Sequence, residues 1–331
     1  MNIRIQAANS GEIKLSPALP AALKQLRIPD SICYGAAGSF GHLLFQQLEG
    51  ENISALYHTL HFTEDERVTY RSYESAIRLQ IILRNSYFYE SKAMGTGVLH
   101  ERGMSLNYIP SIHSVLKLHK QETYSHLAIY YKKEHLLLLV NSFPKLKFFL
   151  EKVEAGKAAQ FNEHYTIADA NILSLIDCML DCPNKGALRK VVLESLAMEI
   201  LLMCLFKMME ATSGAHIPIG EAEAVQIYRA KQLILEELGK PFSVPALSKR
   251  TGLSIYKLNQ GFKGIYGMGV SEFQLEARML KAHRVLLETD TPVSVVAKNS
   301  GYTHHHAFEH AFKKFSGYSP AFVQRSGKKN A

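Results

Sequence analysis

The sequence predicts an α+β protein in two parts: a β-rich, cupin-like N-terminal domain with a helical element behind it, and an all-α C-terminal domain of two helix-turn-helix motifs. Three observations predict it. Between residues 37 and 131, apolar and polar residues alternate in short runs parted by turn formers. After about Lys132 the apolar period lengthens to that of helices. The last hundred residues contain one helical pattern twice.

The strands come first. IRLQIILR (77–84) places Ile77, Leu79, Ile81 and Leu83 on one side and Arg78, Gln80 and Arg84 on the other. HSVLKLH (113–119) and YSHLAIYY (124–131) alternate in the same way, and GEN (50–52), RNS (84–86) and ERG (101–103) supply turns. Short strands at this spacing predict a barrel or sandwich. In YHTLHF, His58 and His61 fall on opposite faces of a strand and do not share a metal. Tyr57, Phe62, Tyr70 and Tyr73 are expected in the core and at its rim.

The helices follow. KKEHLLLLVNSFPKLKFFLEKVEAG predicts two short helices broken at Pro144, with another helix near 166–181. Residues 187–211 predict one long helix whose stripe, Leu188, Val192, Leu196, Ile200 and Cys204, is expected to be buried. That stripe fits a core helix and half of a dimer interface equally well. ATSGAHIPIGE (211–221) is small, polar and carries Gly and Pro, so it is expected to link two domains.

Composition narrows the function. The chain has 331 residues, 47% hydrophobic and 21% charged, enough for two domains with their own cores. No apolar run is long enough to cross a membrane, and no signal peptide is evident. Four cysteines fit reduced thiols in a cytoplasm. Cys178 and Cys182, four apart, are expected to share a helix face in or near the core. Net charge is +8 and unevenly spread: from Glu221 to the end there are 16 Lys/Arg against 9 Asp/Glu, whereas residues 1–220 hold 22 against 21. A basic C-terminal domain points to a polyanionic partner.

The repeat specifies which one. SVPALSKRTGLSIYKLNQGFKGIYG (243–267) and VSVVAKNSGYTHHHAFEHAFKKFSG (293–317) align, with Gly252 matching Gly301 at an offset of 49 and Phe262, Lys263 and Gly267 matching Phe312, Lys313 and Gly317 at 50. Each copy predicts a short helix, capped by Ser243 in the first and by Thr291 or Ser294 in the second, a left-handed glycine, and a second helix. Leu253 and Tyr302 pin the turns. Leu258 and Phe262, or Phe308 and Phe312, form the apolar stripe. The opposite faces carry Tyr256, Asn259, Gln260 and Lys263, and His305, His306, Glu309, His310 and Lys313, and these are the candidate DNA-binding residues. Between the copies, residues 270–289 predict a rod of roughly 30 Å, with Phe273, Ala277, Leu280 and Val285 expected in the core. A rod of that length sets two recognition helices about one turn of DNA apart.

On these residues, 225–325 resemble the DNA-binding domain of the AraC/XylS family of bacterial transcription regulators. Gly301, Tyr302, Phe308, Phe312, Lys313, Gly317, Ser319, Pro320 and Arg325 fit the family's second copy. Where the family opens that helix on Ser or Asp this chain has His304, so the cap is expected on Thr303. The resemblance implies a sequence-specific regulator on double-stranded promoter DNA, with RNA polymerase as a partner and a small-molecule inducer bound in the N-terminal domain; the apolar stripe of 187–211 leaves a homodimer open. KLNQGFKGIYGMGV is similar to the family branch that includes regulators of siderophore uptake, which implies a siderophore or other metabolite as inducer. The expected organisation is a β-rich ligand-sensing domain (1–160), a helical element open to dimerisation (161–213) and the DNA-binding domain (222–326). No catalytic role and no cofactor are implied.

Two rivals stand beside this reading. HAFEH (306–310) matches the H-x-x-E-H pattern of zinc peptidases. A working site needs a third protein ligand, and the 21 residues after His310 contain no Asp, Glu, His or Cys. The other rival is a DNA-binding protein without an inducer.

Overall fold

The computed structural model describes residues 3–162, 166–210, 221–266 and 268–327. Contacts divide the chain into two units, Met1–Ala215 and His216–Ala331. The predicted linker falls at 211–221, of which 211–220 lie outside the described residues.

The first unit begins with β1 (Arg4–Ala7) and β2 (Gly11–Ile13), then a single helical turn α1 (Ala21–Lys24) and β3 (Ile32–Gly38). Strands β4 (Gly41–Glu49), β5 (Ser54–Phe62), β6 (Glu66–Ser72), β7 (Ala76–Arg84), β8 (Tyr87–Ser91), β9 (Gly95–Leu99), β10 (Gly103–Ile109), β11 (Ile112–Leu118) and β12 (Thr123–Tyr131) follow. Next come α2 (Lys133–Leu137), α3 (Lys145–Glu154), the two-residue strands β13 (Ala159–Gln160) and β14 (Thr166–Ile167), α4 (Ala170–Leu180) and α5 (Gly186–Glu210). Strands β1 and β2 lie upstream of the region that alternation marks. They are too short to show a pattern, and β1 is held by pairing with β6 more than sixty residues away.

Two antiparallel sheets face each other, in the orders β2-β1-β6-β11-β8-β9 and β13-β10-β7-β12-β5-β4-β3. Strands β5 to β12 enter them as β5-β12-β7-β10 and β6-β11-β8-β9, the connectivity of a jelly roll. Other jelly rolls share this order, so it does not establish the narrower cupin-like assignment. Alternation is a consequence of the layers. Ile77, Leu79 and Ile81 of β7 point to one core, shared with α3, α4 and α5, while Ile82 points to a second core between the sheets. The polar side of β7 is therefore buried too: Gln80 is only 7% exposed.

That second core contains a polar cluster. His58 and His126 are cross-strand partners on β5 and β12, with ring centroids 4.7 Å apart. His58 stacks on Phe45 at 5.1 Å, and the Tyr87 hydroxyl lies 3.2 Å from His126 Nδ1. Arg78 Nε donates to Asn107 Oδ1 at 2.9 Å. His58 Nδ1, His126 Nε2 and the Tyr70 hydroxyl are buried without a protein partner. Burial holds His58 down to about 3 and lowers His126 well below the ordinary imidazole value; nearby Arg78 pushes both the same way. His61, on the opposite face as expected, stacks on His42 at 5.2 Å. Phe62 and Tyr70 are buried, while Tyr73 is 82% exposed.

Pro144 stands at the N-cap of α3, where its missing N–H costs nothing. Two expectations about helix faces need correction. Of the expected α5 stripe, Ile200 and Cys204 are fully buried, Val192 and Leu196 are half-buried and Leu188 is 60% exposed, while Arg189, Leu193, Ala197, Leu201, Leu205 and Met208 complete the buried face. The contact with the sheet lies a fraction of a turn from the stripe the sequence marks, because both stripes are apolar. Cys178 is exposed, and Cys182 lies past the end of α4, so the two do not share a buried face.

Candidate nucleic-acid interface

The second unit consists of α6 (Glu221–Glu236), α7 (Val244–Thr251), α8 (Ile255–Tyr266), α9 (Val270–Glu288), α10 (Val293–Asn299), α11 (His305–Ser316) and α12 (Pro320–Gly327). In the first copy, Ser243 Oγ accepts from the Ala246 N–H at 3.3 Å and starts α7. Gly252 ends it at φ 73°, a backbone that L side chains avoid. Leu253 inserts into the core, and Ser254 Oγ accepts from the Lys257 N–H at 3.2 Å to start α8. Leu258, Phe262 and Ile265 are fully buried. Gly261 lets α8 approach α6, since a Cβ there would stand 2.3 Å from Ile227 Cδ1.

This packing sets the outer face of α8. Tyr256 is 69% exposed and Lys263 is exposed, while Asn259 and Gln260 are half-buried. Asn259 Oδ1 also accepts from the Val270 N–H at 3.4 Å, so this residue braces the start of α9. Lys257 is paired with Glu223.

The second copy follows the same plan with different caps. Pro292 occupies the N-cap of α10, not Thr291 or Ser294; Val293 then starts the helix. His304, not Thr303, is the N-cap of α11, and its side chain makes no capping hydrogen bond. Tyr302 packs on Phe308 with ring centroids 5.6 Å apart, beneath the Arg278 guanidinium. Phe308 and Phe312 are fully buried, which turns His305, His306, His310 and Lys313 outward and leaves Glu309 half-buried. Glu309 lies 3.4 Å from His305 Nε2 and 3.5 Å from His306 Nδ1, contacts that are ion pairs only when the imidazoles are protonated. The HAFEH segment is thus a turn of α11 that exposes His306 and His310 and buries Phe308. Among the described residues, no group of three or more His, Cys, Asp or Glu is placed to hold a metal ion.

Helix α9 joins the copies, and its 19 residues span roughly 28 Å at 1.5 Å per residue. Its buried positions are Val270, Gln274, Met279, Ala282 and Leu286. Leu280, expected in the core, is 54% exposed. Phe262 and Tyr266 of the first copy pack on Phe273, and Phe308 and Phe312 of the second share a core with Met279, Ala282 and Leu286, so no single apolar stripe describes this helix. Gln274 is the polar exception. Its Oε1 accepts from the Phe242 N–H at 2.8 Å and its Nε2 donates to the Phe242 carbonyl at 3.0 Å, which ties the rod to the segment before α7. Periodicity does not reveal this buried glutamine. Nor does the repeat single out Lys249, Lys298 and Lys314, which add exposed positive charge on α7, α10 and α11.

The two turn glycines carry unequal loads. Both have left-handed backbones, but a Cβ at Gly252 meets open space, whereas one at Gly301 would stand 2.9 Å from the Gly239 carbonyl oxygen. Gly252→Ala should cost about 1 kcal/mol and Gly301→Ala about 3 kcal/mol. Denaturant unfolding of both variants checks this, and equal losses would mean that the second turn is not held against Gly239.

With this geometry in place, the chain can be set beside known proteins. The family described as "Helix-turn-helix domain" matches residues 247–326. The regulatory protein PchR of Pseudomonas aeruginosa is 31% identical over 117 residues, 34% of this chain and 38% of that protein. The arabinose operon regulatory protein of Escherichia coli is 28% identical over 130 residues, 39% of this chain and 43% of that one. The chain thus matches about two fifths of the length of these curated relatives. Among solved structures, the C-terminal domain of AraT, a response regulator from Geobacillus stearothermophilus, is 26% identical, covering 33% of this chain and 88% of that one with a TM-score of 0.30. Residues 247–326, two helix-turn-helix copies on one central rod, are an AraC-type domain at the C-terminus of this chain.

Proposed function

We propose that the protein is a one-component transcription regulator that binds paired sites in double-stranded promoter DNA through α8 and α11. The observation that carries this reading is the repeated packing of the two copies. In each, a buried apolar stripe turns outward a polar face that carries an exposed lysine, Lys263 or Lys313. Tyr256 and Gln260 are assigned to base edges, with Asn259 placed beside them, and Lys263 and Lys313 to phosphates. His305, His306, Glu309 and His310 form the face of the second reader. Binding to DNA places the protein in the cytoplasm, and the role is recognition, not catalysis.

Control belongs to the first unit. A small-molecule inducer, with a siderophore or another metabolite as the expected class, is assigned to the β-rich domain at 1–160. The buried polar atoms of His58, His126 and Tyr70 support a polar ligand there, because each lacks a protein hydrogen-bond partner. Homodimerisation is assigned to the helical element at 161–213, where Leu188 and Val191 present apolar side chains outward. RNA polymerase is the further partner by resemblance. The DNA-binding domain spans 222–326, and the linker at 211–221 is the expected site of protease cleavage.

Selection of bound fragments from genomic DNA tests the reading: enrichment of a paired motif supports it, and uniform recovery of all sequences overturns it in favour of non-specific binding. Gln260→Ala should cost about 1–3 kcal/mol on the best site and relax one or two base positions. Lys263→Ala or Lys313→Ala should weaken all sequences alike and lower the salt slope by about one unit. A selected motif unchanged by Gln260→Ala would move the readers elsewhere on α8. Light scattering of the full chain should report a dimer, and Leu188→Glu should shift it towards a monomer. A wild-type monomer would return α5 to a purely structural role.

A further inference from the structure

The outer face of the six-stranded sheet in the first unit carries a row of cations. Arg4 on β1 lies directly opposite Arg71 on β6, and Arg71 lies directly opposite His113 on β11. Lys92 follows β8 and donates its N–H to the His113 carbonyl at 3.2 Å, which extends the row to a fourth segment. Directly opposed side chains on one sheet face stand about 5 Å apart at Cβ, and like charges so placed destabilise the sheet. Arg71 and Lys92 both act on His113, which is held below the ordinary imidazole value by partial burial and by these two charges.

The neighbouring part of the same face is arranged differently. Four residues further along β6 and β11, Arg67 and Lys117 share the Glu90 carboxylate at 3.2 and 3.5 Å. Among the described residues, Arg4, Arg71, Lys92 and His113 have no carboxylate partner. Glu74, in the adjoining turn, does not line their site. The row opens into a cleft of about 490 Å³ lined by Arg71, Lys92, His113, Ser111, Pro110 and Tyr73. That volume suits a small organic molecule. Tyr73, 82% exposed, offers an aromatic face at the edge.

We infer that this cleft is a binding site for a small organic anion. Its acidic head sits among Arg71, Lys92 and His113, and its flat apolar body lies against Tyr73 and Pro110. The cations convert mutual repulsion into affinity when a carboxylate or phosphate neutralises them. The site goes beyond the regulatory reading and stands whether or not the chain binds DNA.

The test uses the full-length protein and 2-naphthoate, whose own fluorescence reports binding, with 2-naphthamide as the neutral counterpart and inorganic phosphate as competitor. Saturable naphthoate binding is expected, displaced by phosphate and not shown by the amide. Arg71→Gln and Lys92→Gln should each weaken it about tenfold or more, while Arg67→Gln leaves it unchanged. Arg71→Gln should also unfold at the same temperature as the parent chain or higher, because it removes a like charge from the row. Three results overturn the proposal: no saturable binding of naphthoate, equal binding of the amide, or full affinity in both cleft variants. A lower unfolding temperature for Arg71→Gln, with naphthoate binding unchanged, would likewise overturn it and make Arg71 structural.

Discussion

Gly41→Ala is expected to unfold the first unit at temperatures where the parent chain is folded. Gly41 opens β4 after the tight turn from β3 and sits at φ 115°, where an L side chain is strained. A Cβ there would stand 2.1 Å from the His61 carbonyl oxygen on β5. Backbone strain alone is worth about 1–3 kcal/mol. The overlap is with backbone, which no rotamer relieves, so the total should reach about 4 kcal/mol or more. Domain stabilities are about 5–15 kcal/mol, so this is a large share. Gly95→Ala is the comparison: its φ is 76°, but its Cβ meets nothing within 4 Å. It should cost about 1–2 kcal/mol. Urea unfolding followed by far-UV circular dichroism separates the two, and a loss under 2 kcal/mol for Gly41→Ala would show that β4 and β5 part easily at that end.

Acid should weaken the first unit before its carboxylates titrate. His58 and His126 sit between the sheets, and burial lowers both, His58 to about 3. In the unfolded chain each imidazole returns to its ordinary value of about 6.5. Below that pH the unfolded state binds protons that the folded state refuses. The stabilisation is therefore complete above about pH 6.5 and is lost as pH falls towards the folded values. Between pH 6.5 and 5, where most carboxylates remain ionised, the loss should be about 2 kcal/mol for one such group. His58→Phe keeps a ring against Phe45 and removes one titrating site, so its unfolding free energy should depend less on pH across that window. Parallel pH profiles for the variant and the parent would mean that His58 is accessible to protons in the folded state.

The sequence by itself determined the grammar of the C-terminal domain, because its signals are local. Ser243 caps the next turn, Gly252 needs only its own backbone freedom, and Phe308 and Phe312 meet on one helix face four residues apart. Alternation in β7 likewise announced a strand without reference to its partners. Cap positions in the second copy were less legible, since several short polar residues compete there and packing selects Pro292 and His304. The tertiary structure decided whatever depends on a second element. Leu280 and Leu188 look like core residues within their own helices, but what packs on α9 and α5 turns them outward. His58 meets His126 only because β5 pairs with β12 in one register. Arg4, Arg71, Lys92 and His113 are dispersed over more than a hundred residues and form a row only across paired strands. Helix signals repeat within a few residues and can be read along the chain, whereas strand registers are set by hydrogen bonds between distant segments.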